Sequence, residues 1–284
     1  MDYRNPEIPE GINVSDTHPL KEFALLGAAV IAGVLIIVLL AGLSVDWLAG
    51  FIPFEYEKRL IEKFEPRAEA RNSVDDYLQT LADGVAQAME LPAGMRIRIH
   101  YVNEDTVNAF ATFGGHVMVF RGLLEKLPDE NALVMLIGHE VAHVKLRHPL
   151  RAMGKGLVLS TLLGMVLGQS SDSLNTLLGN AGMMTVLSFS RAQEEDADEE
   201  GLKAVWRRYH HVAGALALYR VLQENTDEGG EAVPQLLRSH PRTAARITHL
   251  QRMLEARHWS QQGERRPIPG FIRQKLAADR AAVS

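Results

Sequence analysis

The sequence predicts a mainly helical α+β protein, in which a single transmembrane helix near the N-terminus precedes a domain with a small antiparallel sheet. Residues 23–43 are uncharged and almost wholly apolar, and as a helix they are long enough to cross a bilayer core of about 30 Å. Beyond them, apolar residues recur mostly at helical spacing. The alternation typical of strands is confined to short stretches between residues 95 and 120.

The N-terminal part divides into three segments. Residues 1–20 are polar and proline-containing, so we expect a flexible tail. Residues 21–45 form the predicted membrane anchor, which contacts the lipid bilayer through residues 23–43, and residues 46–71 form a charged juxtamembrane connector. A cleaved signal peptide is the alternative, but the leader is acidic and the apolar stretch exceeds the usual length of about 7–15 residues.

The charges around the anchor say little about its orientation. Basic residues are more frequent after it than before it, which weakly favours a cytoplasmic C-terminal part. Several of them lie far from the membrane end, however, and large domains are translocated regardless of charge. We therefore expect a single-pass protein of a bacterial inner membrane and leave the face of its domain open.

Composition excludes several classes of site. The chain has no cysteine, which excludes disulfides, thiolate metal sites and cysteine nucleophiles. Its net charge of -5 gives no basic footprint, so no nucleic-acid partner is expected. Catalysis must therefore depend on histidine, carboxylate, serine, lysine or a metal.

The first half of the domain, which we predict over residues 72–258, contains the strand signals, after a helical apolar stripe at residues 74–85. Residues 95–101 alternate between apolar and polar and predict one strand. Residues 106–112 and 116–120 flank Gly114-Gly115, which predicts a hairpin.

The rest of the domain is predicted to be helical. Asp129 can cap a long helix that runs to about Arg147. The two apolar runs within residues 157–187 are each short for a membrane span, so they predict a helical hairpin that is buried or touches the membrane. Residues 259–284 are assigned to a C-terminal tail.

The long helix carries the chemistry. His139 and His143 lie about one turn apart on one face, so both imidazoles reach one point, as a zinc site requires. Glu140 follows the first histidine and is placed to accept a proton from metal-bound water. His-Glu-x-x-His on a helix is typical of a zinc peptidase, and we expect one Zn²⁺ per chain.

A third protein ligand is needed. His148 does not fit, because it lies nine residues from His139 and a continuous helix would turn it to the opposite face, so we expect a surface or helix-end histidine. A carboxylate remains, and spacing alone does not choose among Glu194, Glu195 and Glu199. An acidic, solvated helix face is the alternative for these residues.

Four blocks in order resemble the HtpX-type and CAAX-prenyl-endopeptidase-type gluzincins, membrane-associated zinc metallopeptidases with a zincin-like catalytic domain. The resemblance covers roughly residues 70–256. The blocks are Asn108-Ala109-Phe110-Ala111 with Gly114-Gly115 and Arg121-Gly122-Leu123-Leu124, the His139 to His143 helix, Ser190-Arg191 with Glu194 and Ala197-Asp198, and His240-Pro241 with Arg246-Ile247. The chain differs from these families in having one clear N-terminal span instead of several.

The resemblance implies roles for individual residues. It makes Glu194 the third zinc ligand and Asp198 its outer hydrogen-bonding partner. It implies that His240 lies over the metal as an oxyanion stabiliser or a regulatory ligand, and that Arg246 orients this region. The substrate backbone would pair with an edge strand made of Asn108, Ala109 and Phe110.

The predicted function is that of a membrane-anchored zinc metalloendopeptidase. It would hydrolyse internal bonds of unfolded or misfolded proteins, in protein quality control. One alternative is a zinc-stabilised, membrane-tethered holdase or assembly factor with little proteolysis, which the intact Glu140 argues against, since a structural site needs no base. Another is a metal-free membrane scaffold, which would leave the four motif blocks unexplained.

Overall fold

The computed structural model describes residues 18–61, 71–167, 189–227, 236, 240 and 244–283. Within these ranges the helices are α1 (Pro19–Leu48), α2 (Phe54–Ile61), α3 (Ser73–Ala88), α4 (Arg121–Lys126), α5 (Glu130–Lys145), α6 (His148–Leu167), α7 (Arg191–Tyr209), α8 (Ala217–Asp227), α9 (Ala244–Arg257) and α10 (Gly270–Val283). The strands are β1 (Arg98–Val102), β2 (Ala109–Ala111) and β3 (His116–Phe120).

Helix α1 is an apolar helix of 30 residues, of which none is buried. At about 1.5 Å per residue it exceeds the thickness of a bilayer core. Among the described residues it is the one helix long and apolar enough to cross a membrane. Residues 1–17 of the predicted tail lie outside the described residues, and so does the part of the predicted 157–187 hairpin that follows α6.

The sheet is mixed and has the order β1-β3-β2. The predicted hairpin is present, because β2 pairs antiparallel with β3 across a 3-10 turn at Phe113–Gly115. However, β1 pairs with β3 in parallel, with Arg98 opposite His116. The prediction of a wholly antiparallel sheet is wrong in this respect, because the chain passes to the other side of β3 before β2 begins.

Helix α5 forms the centre of the domain. Asp129 caps it by accepting a hydrogen bond of 2.8 Å from the backbone N–H of Ala132, as its position in the sequence predicts. Every residue of α5 from Glu130 to Val144 is buried, so the apolar run that precedes the motif histidines is core on all sides. The functional side chains of α5 are therefore held by packing over its whole circumference.

Helix α7 lies directly against α5 because both carry glycine at the crossing. A Cβ built on Gly138 would lie 2.9 Å from the Cα of Gly201. A Cβ on Gly201 would lie 3.0 Å from the backbone nitrogen of His139. This backbone-to-backbone approach brings the acidic start of α7 beside the motif histidines.

The C-terminal residues, predicted to be a tail, pack on the domain. Ile268, Ile272 and Leu276 are buried at a spacing of about one helical turn. Arg273 donates hydrogen bonds to the carbonyl groups of Leu124, Glu125 and Leu127, at the end of α4. The reason is amphipathic spacing: α10 has one apolar face, and burial of that face stabilises its contact with the core.

Candidate metal centre

The two motif histidines converge as their spacing predicts. Their Nε2 atoms lie 3.1 Å apart, and both side chains are buried. Burial, together with the neighbouring imidazoles of His139 and His240, holds the pKa of His143 well below its ordinary value. The ring of His143 therefore stays neutral, which is the form that binds a metal ion.

Helix α7 contributes a carboxylate to the same point. The Oε1 atom of Glu194 lies 3.5 Å from the Nε2 of His143, and its Oε2 atom lies 3.6 Å from the Nε2 of His139. Glu194 is buried, whereas Glu199 is partly exposed and accepts a hydrogen bond from Lys203. Of the three acids that spacing left open, Glu194 is the one the structure brings to the histidines.

His240 completes the group. Its Nδ1 atom lies 3.2 Å from the Nε2 of His139 and 2.9 Å from the Oε1 of Glu194. Burial alone would lower the pKa of His240, but the carboxylates of Glu194 and Glu140 outweigh it and raise the pKa above its ordinary value. One nitrogen or oxygen from each of His139, His143, Glu194 and His240 lies within 4.8 Å of the others.

These separations fit a single metal ion. A tetrahedral ion bound at about 2.0–2.1 Å, the imidazole distance of protein zinc sites, holds its ligand atoms about 3.3 Å apart. The corresponding distances here run from 2.9 to 3.6 Å. The donor set of imidazole and carboxylate groups also suits such an ion, so the site can bind a metal without rearrangement of the described residues.

Asp198 holds the cluster from outside. Its Oδ1 atom lies 2.8 Å from the Nδ1 of His139, and its carboxylate also accepts hydrogen bonds from Arg246 and from the hydroxyl of Tyr219. Burial opposes ionisation, yet the hydrogen bonds from His139 and Arg246 prevail and lower the pKa of Asp198 well below its usual range. The other guanidinium nitrogen of Arg246, Nη1, lies 2.6 Å from the Oε2 of Glu194. Arg246 thus joins the two carboxylates of α7.

Glu140 differs from the other acids of the site. It is fully buried at 0% exposure, and neither of its carboxylate oxygens has a hydrogen-bond partner in the described part of the chain. The nearest charged group recorded beside it is the ring of His240, whose Nε2 lies 3.7 Å from its Oε1. A pocket lined by Glu140, His240 and apolar side chains of α5 and α8 adjoins it. A buried carboxylate without a partner is costly for stability, which points to a chemical role.

His148 was predicted to be a surface or helix-end histidine; it does lie at a helix end, but the prediction that it is at the surface and away from the metal ligands is wrong. It is 1% exposed, and its Nδ1 lies 2.8 Å from the Nδ1 of His143. The prediction assumed a continuous helix, but α5 ends at Lys145 and Arg147 adopts a left-handed conformation with φ of 60°. The helix is interrupted there, and His148 lies beside His143 as the first residue of α6.

Tyr219 is a residue of the site that the sequence did not indicate. It belongs to α8, its hydroxyl lies 2.6 Å from Asp198, and burial beside that carboxylate raises its pKa well above the ordinary value. Nothing in the spacing around it distinguishes it from a core tyrosine. Its bond to Asp198 becomes apparent only when α7 and α8 pack together.

The predicted substrate-binding residues lie on and beside β2, at the edge of the sheet. Asn108 and Ala109 are buried and Phe110 is partly buried. The side-chain amide of Asn108 has no hydrogen-bond partner for either its nitrogen or its oxygen among the residues that the structure describes. Helix α5 packs against this strand, so β2 and the metal cluster belong to neighbouring elements.

Comparison with known proteins agrees with this geometry. The family model described as Peptidase family M48 matches residues 72–254. Metalloprotease LoiP of Escherichia coli (strain K12) is 32% identical over 197 residues, which cover 66% of this chain and 74% of LoiP. A beta-barrel assembly-enhancing protease of Yersinia pestis is 27% identical over 187 residues, covering 61% of this chain and 37% of that protein.

A mitochondrial relative is also similar to part of this chain. Mitochondrial metalloendopeptidase OMA1 of Arabidopsis thaliana is 33% identical over 150 residues, which cover 52% of this chain and 30% of that protein. The match thus spans only about a third of the length of the Yersinia and Arabidopsis relatives. The family model, by contrast, covers more than half of this chain and includes every residue of the cluster. The chain therefore belongs to peptidase family M48, a family of metallopeptidases.

Proposed function

We propose that this chain is a zinc-dependent metalloendopeptidase that cleaves internal peptide bonds of unfolded or damaged proteins. The observation that carries the proposal is the buried group of His139, His143 and Glu194 with an unpartnered carboxylate, Glu140, beside it. A holdase would need the metal cluster but would not need an unpaired base.

His139, His143 and Glu194 would hold the zinc ion. When bound, zinc polarises the scissile carbonyl and lowers the pKa of its water ligand toward 7. Asp198 accepts the Nδ1 proton of His139, so the Nε2 lone pair of that ring is directed at the ion. Arg246 neutralises the charge of the two α7 carboxylates and keeps Glu194 oriented.

Glu140 acts as the general base. It is fully buried and neither of its carboxylate oxygens has a hydrogen-bond partner among the described residues, so both oxygens are free to accept from a water molecule in the site. It takes the proton from the attacking water and returns it to the leaving amine.

His240 has two candidate roles. Its Nε2 has no hydrogen-bond partner in the described chain and is oriented toward Glu140, which suits a donor to the developing oxyanion. Its Nδ1 lies within 3.2 Å of His139 and 2.9 Å of Glu194, which suits a fourth ligand that excludes water at rest. Of the two, the Nδ1 distances favour the regulatory role.

Substrate would bind in extended form along β2. The residues on either side of β2 are hydrogen-bonded to β3. The N–H of Phe120 donates to the carbonyl of Asn108, and the N–H of Thr112 donates to the carbonyl of His116. In an antiparallel ladder the bonded positions alternate, so the residues one position away from Asn108 and from Thr112 direct their N–H and C=O groups away from β3. Ala109 and Ala111 would therefore pair with the substrate backbone, which makes binding independent of side-chain sequence, as suits an unfolded protein.

Helix α1 would place the enzyme in a membrane, and we propose a bacterial inner membrane. The length and apolar character of this helix support its insertion in a membrane. One relative is named beta-barrel assembly-enhancing protease, and this link between proteolysis and protein assembly supports quality control as the setting here.

The test compares the full-length chain in detergent with Glu140→Gln. We expect about one zinc per chain in both proteins and cleavage of unfolded casein by the wild type alone, because the substitution removes the base and keeps the ligands. Zinc in both with no cleavage by either, even after His240→Ala, would favour the holdase. A folded protein without zinc would refute the proposal.

A further inference from the structure

The segment that leaves α1 is docked on the domain. Phe54 and Glu57, on the first turn of α2, are 9% and 5% exposed, although residues 46–71 were predicted to be only a charged connector. Glu55 and Lys58 on the same helix form an ordinary pair at the surface, 3.0 Å apart. The buried carboxylate of Glu57 is therefore unlike its neighbours.

One oxygen of Glu57 binds the joint between α5 and α6. Its Oε1 lies 2.5 Å from the Nε of Arg147, whose Nη2 also donates to the carbonyl of Ile52 at 2.9 Å. The guanidinium lies 5.8 Å from the ring centroid of Phe54. Arg147 is the left-handed residue between α5 and α6, and the next residue, His148, contacts the candidate ligand His143. Glu57 is therefore connected to the candidate metal ligand His143 through Arg147 and His148.

The other oxygen of Glu57 binds the turn between β2 and β3. Its Oε2 accepts a hydrogen bond of 3.2 Å from the backbone N–H of Gly114, which has a left-handed φ of 69°. A Cβ at Gly115 would lie 2.1 Å from the carbonyl oxygen of Arg96, so this turn has no room to shift toward the preceding loop. The turn fixes the end of β2, the strand proposed to bind substrate.

We propose that Glu57 is a positioning residue of the active site, whose two oxygens hold the α5–α6 joint and the β2–β3 turn in register with each other. This inference rests on the proposed function, which assigns two walls to the active site. The wall at the α5–α6 joint lies beside the metal ligands, and the wall at the β2–β3 turn lies at the end of the strand proposed to bind substrate. Helix α2, which follows α1, then contributes to the geometry of the active site.

The chemistry of the contact favours positioning over simple stabilisation. Replacing a buried ion pair by apolar side chains often leaves folding stability unchanged or increases it. A contact needed only for stability therefore does not require a carboxylate. A carboxylate does offer two acceptors in a fixed geometry, and here each is used for a different wall. Phe54 supplies the apolar packing beside it.

The experiment uses the full-length chain in detergent with three variants. Glu57→Gln removes the charge, Glu57→Asp keeps the charge but shortens the reach, and Glu55→Gln is the matched surface control. We would measure kcat and KM on a quenched extended peptide, zinc affinity by chelator competition, and amide hydrogen exchange.

For Glu57→Gln we expect KM to rise about tenfold, zinc affinity to fall several-fold, and exchange to accelerate at residues 109–117 and 145–150 only. Glu57→Asp should lie between it and wild type, and it carries the test if Glu57→Gln does not fold. Glu55→Gln should match wild type.

Two results would overturn the inference. One is unchanged KM, zinc affinity and local exchange in both Glu57 variants. The other is faster exchange throughout the domain, with activity lost only in proportion to unfolded protein. If neither the wild type nor His240→Ala cleaves the peptide, the proposed function fails, and zinc affinity with local exchange still decides whether Glu57 holds the α5–α6 joint and the β2–β3 turn.

Discussion

Asp198 shows how one buried carboxylate can organise a metal centre that it does not bind directly. It receives hydrogen bonds from three elements: His139 on α5, Tyr219 on α8 and Arg246 on α9. Each bond has its own effect. The bond from His139 sets the tautomer of that ring, the bond from Tyr219 holds α8 in place, and the bond from Arg246 brings a positive charge between Asp198 and Glu194. The pKa of Asp198, well below its usual range, means that it is ionised at neutral pH.

Asp198→Asn should weaken metal binding while leaving the fold in place. The amide cannot accept from His139 and Arg246 as the carboxylate does, and loss of such outer partners typically costs about 10–100-fold in metal affinity. Chelator competition on the purified chain measures this. Glu199→Gln, one residue further along α7 and partly exposed, is the control and should bind metal as wild type does. Equal affinity in all three proteins would contradict this role for Asp198.

His148 predicts a pH dependence of stability in the metal-free protein. Burial, with Arg151 nearby, lowers its pKa from 6.5 to about 4. Because the folded pKa is depressed, the unfolded chain binds the proton more tightly, so stability is full above pH 6.5 and falls as the pH drops toward 4. The shift corresponds to about 3 kcal/mol at most.

The measurement compares denaturant unfolding of wild type and His148→Asn between pH 7 and pH 4. Asparagine keeps a polar group beside His143 but does not titrate. The difference in unfolding free energy between the two proteins should therefore shrink, or reverse in favour of the variant, as the pH falls. A difference that stays constant over this range would show that His148 does not titrate with a depressed pKa.

The sequence predicted some of these residues and not others, for physical reasons. His139, Glu140 and His143 are local: four-residue spacing on a helix already defines their convergence. The position of His148 depends on the left-handed conformation of Arg147. That conformation is uncommon for residues other than glycine, and nothing in the sequence predicts it here. Tyr219 depends on how α8 packs, which is a long-range property.

The crossing of α5 and α7 sets the distance between the histidines and Glu194. Gly138 and Gly201 face each other there with no room for a side chain. Gly138→Ala should therefore force the helices apart and cost about 1–3 kcal/mol of stability, despite the better helix propensity of alanine. It should also weaken metal binding, because Glu194 moves with α7.

Thermal unfolding and metal affinity of Gly138→Ala check this together. Gly33→Ala in α1 is the matched control, since a Cβ there meets nothing within 4 Å. It should leave both quantities unchanged. Retained stability and affinity in Gly138→Ala would mean that the helices adjust without affecting the site.

Element boundaries were predictable where one periodicity dominates. Residues 129–147 predicted α5 within about two residues, because its cap and its end both carry local signals. The parallel pairing of β1 with β3 carries no such signal, since it joins strands that are not neighbours in sequence. The apolar spacing of Ile268, Ile272 and Leu276 was visible and indicates that α10 belongs to the domain.

Helix α1 and the candidate metal centre are connected through α6. A Cβ at Gly154 would lie 2.6 Å from the Cγ1 of Val45, and the Nζ of Lys155 lies 2.7 Å from the Oδ2 of Asp46. The same helix begins at His148, in contact with His143. The end of α1 therefore packs on an element that starts at the cluster, so the cluster is held at a fixed position relative to the end of α1.

Insertion of α1 is the last prediction. Its residues between 23 and 43 are exposed over most of their surface, and leucine and isoleucine side chains such as Leu35 at 63% and Leu39 at 61% have no protein partner to bury them. A bilayer would remove this area from water. Arginine near the centre of a span costs about 2.5–3.5 kcal/mol, so Leu35→Arg with Leu39→Arg should cost about 5–7 kcal/mol of insertion free energy.

Carbonate extraction of membranes from expressing cells provides the measurement. Wild type should remain in the pellet, and the double variant should move largely to the supernatant. Leu20→Arg, beside Lys21 at the polar end of α1, is the control and should pellet with wild type, because an arginine there reaches the interface. Release of the wild type by carbonate would show that α1 does not span a membrane. The exposed apolar surface of α1 would then need a protein partner.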